Sequence, residues 1–167
     1  MRFEKISFEQ WINDWNGIND NDVIESCYND LKLPQQGTKY SMGMDFFAPC
    51  DICLEPYKYQ LIPTGIRWVI TDPITEGNKG LMLFPRSGQG FKYGIRLANT
   101  VACIDADYFL SDNEGHIMVK LFNPFDEPVI IKKGQGYCQG VIVDYYICDG
   151  AHSTAIRNGG FGSTDNK

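Results

Sequence analysis

A surplus of positive charge is what this sequence lacks first: 15 Lys and Arg stand against 21 Asp and Glu, a formal net charge of −6. A general nucleic-acid binder or an anionic-membrane binder needs a basic face to displace counterions, so the balance argues against both, and any anionic ligand must be small and held locally. Long apolar runs are missing too. None approaches the roughly 18 residues of a membrane span, and the opening MRFEKISFEQW carries acidic residues where a signal peptide has its apolar core, so the expected location is the cytoplasm. Histidine is scarce, with only His116 and His152, which leaves Cys50-Asp51-Ile52-Cys53 without the second ligand pair of a structural zinc site. The six cysteines read as reduced thiols, because a chain of 167 residues can bury a core without a disulfide scaffold.

What is present is the material of one folded domain: 43% hydrophobic residues and a charged fraction of 22% that is too low and too mixed for disorder. Ser7 with Gln10 forms a capping-box pattern, and Phe8, Trp11, Ile12 and Trp15 follow at helical spacing. A second apolar stripe, Val23, Ile24, Cys27, Tyr28 and Leu31, must stop by Pro34. Residues 1–33 therefore read as a helical extension whose expected role is to cover one edge of the main domain, with a protein-partner surface as the alternative.

From 34 to 150 short apolar runs alternate with Gly, Pro, Asn and Asp, and strands are expected at 59–62, 66–70, 81–84, 117–122, 129–131 and 137–147. No ten-residue helical stripe separates them. The expected class is all-β, an antiparallel sandwich, jelly roll or barrel. Residues 151–167 are expected to form a C-terminal arm, mobile by its glycines unless a ligand orders it.

Three segments carry candidate chemistry. In the arm, Gly159, Gly160 and Gly162 let backbone amides converge on an anion, Ser163 and Thr164 add hydroxyls, Arg157 adds charge, and Phe161 offers a ring to a planar base; the alternative is an unordered Gly/Ser tail. In Pro85-Arg86-Ser87-Gly88, Arg86 can neutralise phosphate oxygens and Ser87 can donate to a bridging oxygen; the alternative is a plain turn. Between Asn99 and Tyr108 an apolar strand ends in Asp105, a carboxylate able to take a proton from water, with an aromatic ring three residues on; the alternative for Asp105 is a strand-end cap. Phosphate contacts combined with base contacts point to a nucleotide.

In order and character these segments resemble the five motifs of the trimeric dUTPases: Gly43-Met-Asp45-Phe-Phe-Ala48, Pro85-Arg86-Ser87-Gly88, the stretch from Asn99 to Tyr108, Gly134-Gln-Gly-Tyr-Cys-Gln139, and the stretch from Arg157 to Thr164. The resemblance implies a distorted jelly-roll β-barrel and a homotrimer with shared sites. It also implies Mg²⁺-assisted hydrolysis of dUTP to dUMP and pyrophosphate, which supplies dUMP and keeps uracil out of DNA. Asp105 would be the general base, with Asp45 supporting the site. Arg86, Ser87, Gly88 and Gln139 would hold the α- and β-phosphates, and Arg157, Gly162, Ser163 and Thr164 the γ end. Asn99 would help read uracil, Tyr108 would lie under the deoxyribose and leave no room for a 2′-hydroxyl, and Phe161 would cover the base. Mg²⁺ would ride on the triphosphate and water, with no direct protein ligand.

Four departures from the pattern stand out. Ala102 replaces a usual glycine, Gly136 replaces a usual arginine and leaves Lys92 or Arg157 as candidates for the missing charge, and Arg157 sits one residue closer to Phe161 than is common. Residues 109–114 replace what is usually a single residue; they read as a tolerated surface extension, with Asp112 and Glu114 as solvated charges, and as a candidate protein-partner surface. The competing functions are dCTP deamination on the same fold and a non-enzymatic nucleotide-sensing module. The first calls for a positioned glutamate where the third motif has aspartates, and the second would be marked by loss of Asp105 or Ser87, both of which are present.

Overall fold

The structure is a computed structural model describing residues 1–15, 21–151, 153, 157 and 159. In chain order its elements are β1 (Arg2–Lys5), α1 (Phe8–Asp14), α2 (Asn21–Asn29), β2 (Gln35–Gln36), β3 (Met44–Phe47), β4 (Ile52–Leu54), β5 (Tyr59–Pro63), β6 (Ile66–Val69), α3 (Pro73–Glu76), β7 (Lys79–Pro85), α4 (Ser87–Tyr93), β8 (Arg96–Leu97), β9 (Ala102–Ile104), a 3₁₀ turn (Tyr108–Leu110), β10 (Met118–Phe122), β11 (Val129–Ile131) and β12 (Gly136–Asp144). Among the described residues no helix is long and apolar enough to cross a membrane.

All strand pairings are antiparallel, as the lack of crossover helices requires. The largest sheet runs β2-β3-β12-β7-β9, faced by β5-β10-β8 and the small pairs β11-β4 and β1-β6. This is the all-β, jelly-roll type of architecture. Alternation explains the layers: Val119 and Leu121 of β10 point inward while Lys120 points out, and Leu81 and Leu83 of β7 pack in the same core. β12 is the spine of its sheet, pairing with both β3 and β7, and a bulge in its pairing with β3 lies between Gly136 and Cys138. Bulges re-aim the backbone beside functional sites, and this one sets Gly136 against Arg86.

The first 33 residues are not wholly helical. Residues 2–5 form β1, which pairs with β6 from Arg2↔Val69 to Lys5↔Ile66 and so closes a sheet edge. The capping pattern holds, since Gln10 N donates to Ser7 Oγ at 3.1 Å. Ile6, Trp11, Ile24, Cys27 and Leu31 build a second apolar cluster, in which the Trp11 indole donates to Ile24 O at 3.0 Å. Gly65 receives this cluster: it sits at φ +73°, and a Cβ there would fall 2.3 Å from Leu31 Cδ1. Only glycine fits such a place.

Residues 109–114 differ from a free surface extension as well. Glu114 is not a solvated charge: it accepts from Ser7 N at 2.8 Å and from the Ser7 hydroxyl. These bonds outweigh its partial burial and hold its carboxyl below the usual range. His116, 0% exposed, is fixed on both ring nitrogens, with Gly65 N–H donating to Nε2 at 2.8 Å and Nδ1 lying 2.6 Å from Asp14 Oδ2. Because Nε2 accepts, the proton sits on Nδ1 and is donated to Asp14. The insertion and the N-terminal helix thus form one packed unit.

Candidate active site

The phosphate-suited half grows from the end of β7. After Pro85 the chain turns at Arg86 and enters α4, headed by Ser87 and Gly88, with Gln89 N and Gly90 N bonding back to Arg86 O at 3.1 and 3.0 Å. The sequence offered a plain turn at 85–88 as the alternative and no helix here, since a helix with two glycines in its first four residues has weak intrinsic propensity. Asp45 on β3 is in register with Gln139 on β12, which is in register with Phe84 on β7, so one line across the sheet joins two motifs and sets the third, starting at Pro85, directly beside them. Arg86 makes a two-pronged contact with Asp45, Nε to Oδ1 and Nη2 to Oδ2, each at 3.0 Å. Gln139 Nε2 donates to Pro85 O at 3.2 Å. Together these bonds fix the guanidinium beside a cleft of about 420 Å³ lined by Arg86, Ser87, Gly88, Gln89, Lys92 and Gly136.

Gly136 is part of that geometry. A Cβ there would lie 3.0 Å from Arg86 Nη1 and 3.2 Å from its Cζ, so any side chain at 136 crowds the arginine. Lys92 lines the same cleft, which makes it, of the two residues named for the missing charge, the one placed where Gly136 leaves room.

The carboxylate half grows from β9. Asp105 directly follows this strand, and Tyr108 N donates to its carbonyl at 3.1 Å, so the strand-end turn is formed by backbone rather than by the carboxylate. The Asp105 side chain is 61% exposed. Arg157 pairs with both Asp105 and Asp107, the latter at 2.7 Å, and its guanidinium lies 5.8 Å from the centre of the Tyr108 ring. Burial opposes the Arg157 charge, but Asp107 and Asp105 outweigh it and raise its pKa. Tyr108 is buried and its pKa is raised mainly by that burial; its hydroxyl donates to His116 O at 3.1 Å and accepts from Asn113 Nδ2 at 3.0 Å. Asn99 stands apart from both halves, on a cleft of about 200 Å³ with Leu97, Ala98, Ala102 and Met118. Phe161, Gly162, Ser163 and Thr164 lie outside the described residues.

The two halves do not meet within one chain. Antiparallel pairing sets Ala102 opposite Leu83 and Ile104 opposite Leu81, so Asp105 falls level with Gly80 while Arg86 lies past the other end of β7. Six residues of strand at about 3.3 Å each separate them by about 20 Å. Asn113 and His116, which anchor Tyr108, were not singled out by sequence reasoning as site residues. Their signal, an Asn-Glu-Gly turn ahead of a histidine, is indistinguishable from loop chemistry until the loop's neighbours are known.

One anion-suited cleft and an exposed carboxylate on an antiparallel β scaffold suit a β-fold protein that handles small phosphorylated ligands, and similarity to known proteins narrows the class. A family model described as dUTPase matches residues 29–165. The deoxyuridine 5'-triphosphate nucleotidohydrolase of Lactococcus lactis subsp. lactis is 35% identical over 137 residues, spanning 80% of this chain and 88% of the relative. Its counterpart in Hahella chejuensis is 37% identical over 146 residues, spanning 83% and 90%. The crystal structure of dUTPase from Streptococcus mutans matches with a TM-score of 0.66 at 27% identity, covering 90% of this chain and 100% of that one. A mutant dUTPase from phage phi11 of S. aureus, which coordinates a structural Mg(II) ion, shares the fold at a TM-score of 0.57 and 21% identity. The chain belongs to the dUTPase family.

Proposed function

We propose that this chain is a dUTP diphosphatase that cleaves dUTP to dUMP and pyrophosphate by attack of water on the α-phosphorus, in sites shared between the subunits of a homotrimer. The observation that carries the shared-site reading is the separation of about 20 Å along β7 between Arg86 and Asp105, too far for one nucleotide's α-phosphate to reach both in a single chain. A closed cyclic assembly brings the Arg86 end of one copy to the Asp105 end of another.

In this reading Arg86, held by Asp45, presents its remaining N–H groups to the α- and β-phosphates, and Ser87, Gly88 and Gln139 add donors that fix the α-phosphorus in line with the water. Asp105 orients that water and takes its proton. Arg157 leaves Asp105 for the γ-phosphate, so substrate and general base compete for one guanidinium, while Gly162, Ser163 and Thr164 close the γ end and Phe161 covers the base. Asn99 helps read the uracil edge, and Tyr108 supports the deoxyribose. Among the described residues no three His, Cys, Asp or Glu side chains converge on a metal position. The donors facing the cleft beside Arg86, a guanidinium, a lysine and a hydroxyl, suit phosphate oxygens rather than a cation, which fits Mg²⁺ carried by the triphosphate and its waters. When bound, it neutralises charge on the pyrophosphate leaving group.

The test is pyrophosphate release with Mg²⁺ from dUTP, dCTP, dTTP and UTP by the natural chain and by Asp105→Asn. Release from dUTP alone, lost in the variant with dUTP still bound, is expected. Ammonia release from dCTP, or tight dUTP binding without cleavage by the natural chain, would overturn the reading in favour of a deaminase or a nucleotide sensor.

A further inference from the structure

Rejection of a ribonucleotide by steric clash makes a demand that hydrogen-bond recognition does not: the wall must be stiff. A ring that yields by an ångström accommodates the extra hydroxyl, and the discrimination disappears. Nothing in the covalent structure of Tyr108 supplies that stiffness, since its ring turns about two single bonds. Its surroundings do. The phenol oxygen is held from two sides, donating to His116 O at 3.1 Å and accepting from Asn113 Nδ2 at 3.0 Å. Asn113 is itself locked, because its Oδ1 accepts from Gly115 N at 3.2 Å and its carbonyl accepts from His116 N at 3.0 Å. His116 is locked in turn by Gly65 and by Asp14 of α1, and Glu114, two residues before it, is tied to Ser7 at the start of the same helix.

We propose that residues 109–116 and α1 form a socket that fixes the tilt of the Tyr108 ring, and that Asn113 is a positioning residue for discrimination between deoxyribo- and ribonucleotides. The inference rests on the reading that Tyr108 faces the sugar. It assigns work to the two parts of the chain that the family pattern leaves unexplained, the N-terminal extension and the six residues at 109–114. The socket acts at the buried hydroxyl end of the ring, away from the phosphates, so its loss should leave the chemistry of bound dUTP largely intact.

The experiment measures kcat and KM for dUTP and UTP with the natural chain, Asn113→Ala, Tyr108→Phe, the double variant and Tyr108→Ala. Tyr108→Phe removes the anchored hydroxyl and leaves the loop's own bonds in place, so it covers the case in which Asn113→Ala fails to fold. The expected result is a fall of about tenfold in the dUTP-to-UTP ratio of kcat/KM for Asn113→Ala and for Tyr108→Phe, since a misplacement of about 1 Å is worth up to about 10²-fold. In Asn113→Ala the fall should arise mainly from improved use of UTP, and the double variant should be no worse than Tyr108→Phe alone, as two changes to one contact require. A relaxed ratio in Tyr108→Ala alongside an unchanged ratio in both Asn113→Ala and Tyr108→Phe would overturn the socket and leave the sugar-facing reading intact. An unchanged ratio in Tyr108→Ala would instead overturn the sugar-facing reading on which the socket stands.

Discussion

Shared sites make a quantitative prediction about mixtures of inactive chains. Asp105→Asn removes the proposed general base, and Arg86→Gln removes the proposed phosphate-binding charge while its amide keeps a donor for Asp45, which is 14% exposed and would otherwise lose its partner. Each variant alone should have almost no activity. Arg86 and Asp105 lie about 20 Å apart in one chain, so in the proposed shared site Arg86 comes from one copy and Asp105 from another. In trimers formed at random from equal amounts of the two variants, the Arg86 position of a site comes from an Asp105→Asn chain half the time, and its Asp105 position from an Arg86→Gln chain half the time. About one quarter of the sites are then intact, and co-refolded mixtures should recover about one quarter of natural pyrophosphate release. Varying the mixing ratio should give a curve that follows the product of the two fractions, with its maximum at equal amounts. Size-exclusion chromatography of each variant checks that both assemble. A co-refolded mixture of assembled variants that stays as inactive as its components would refute the reasoning, because it would show that both residues must come from the same chain.

Three further outcomes follow from particular contacts. Gly136→Ala places a Cβ 3.0 Å from Arg86 Nη1 and should push the guanidinium off the Asp45 fork, giving a raised KM for dUTP in steady-state kinetics with little change in melting temperature. Gly65→Ala combines a φ of +73° with a Cβ 2.3 Å from Leu31 Cδ1, and left-handed strain together with overpacking should destabilise the chain by about 2–4 kcal/mol, seen as a fall of roughly 5–12 °C in thermal melts. His116 gives a pH dependence. Burial depresses its pKa below the ordinary value of 6.5, opposed by Asp14 on α1 and Glu114 in the loop, while Trp11 packs against the ring. Its neutral form is the folded form, so its contribution is complete above about pH 6.5 and declines as pH falls from there toward the folded pKa. Melts between pH 8 and 5 should show this loss in the natural chain and not in His116→Gln, ahead of the losses from paired carboxylates such as Glu76, whose pKa is held at about 2 chiefly by the N-terminal ammonium.

What the sequence made legible was whatever repeats with a short period or sits within one motif. Alternation revealed β10, and the cap of α1 could be read from Ser7 and Gln10, because the atoms concerned are neighbours in the chain. β1 went unread, since Arg2, Phe3, Glu4 and Lys5 become a strand only through pairing with Ile66–Val69, more than sixty residues away. α4 went unread for the opposite reason: its local propensity argues against a helix, and tertiary context overrides it. At the site, Asp45, Arg86 and Gln139 were each visible as motif residues, and the register of β3, β12 and β7 supplied their convergence. The approach of Arg157 to Asp105 was not legible, because a glycine-rich arm carries no pattern that says where it lies.

The insertion at 109–114 shows why a departure from a family pattern is better weighed by its contacts than by its length. A longer loop on a free surface adds little closure entropy and needs no compensation, which is how these residues read in sequence. Here the loop carries a Glu114 residue at φ +58° and a Gly115 at φ +72°, a conformation that only specific contacts maintain in a non-glycine residue. Ser111 and Asn113 hold the loop from within, Ser7, Asp14 and Gly65 hold Glu114 and His116 from outside it, and α1 docks in part on Glu114 and His116. Each therefore stabilises the other, and loss of either should loosen both. Because the same loop grips the Tyr108 hydroxyl, a surface extension and a terminal appendage that sequence treats as separate additions act physically as one buttress behind the residue proposed to face the sugar.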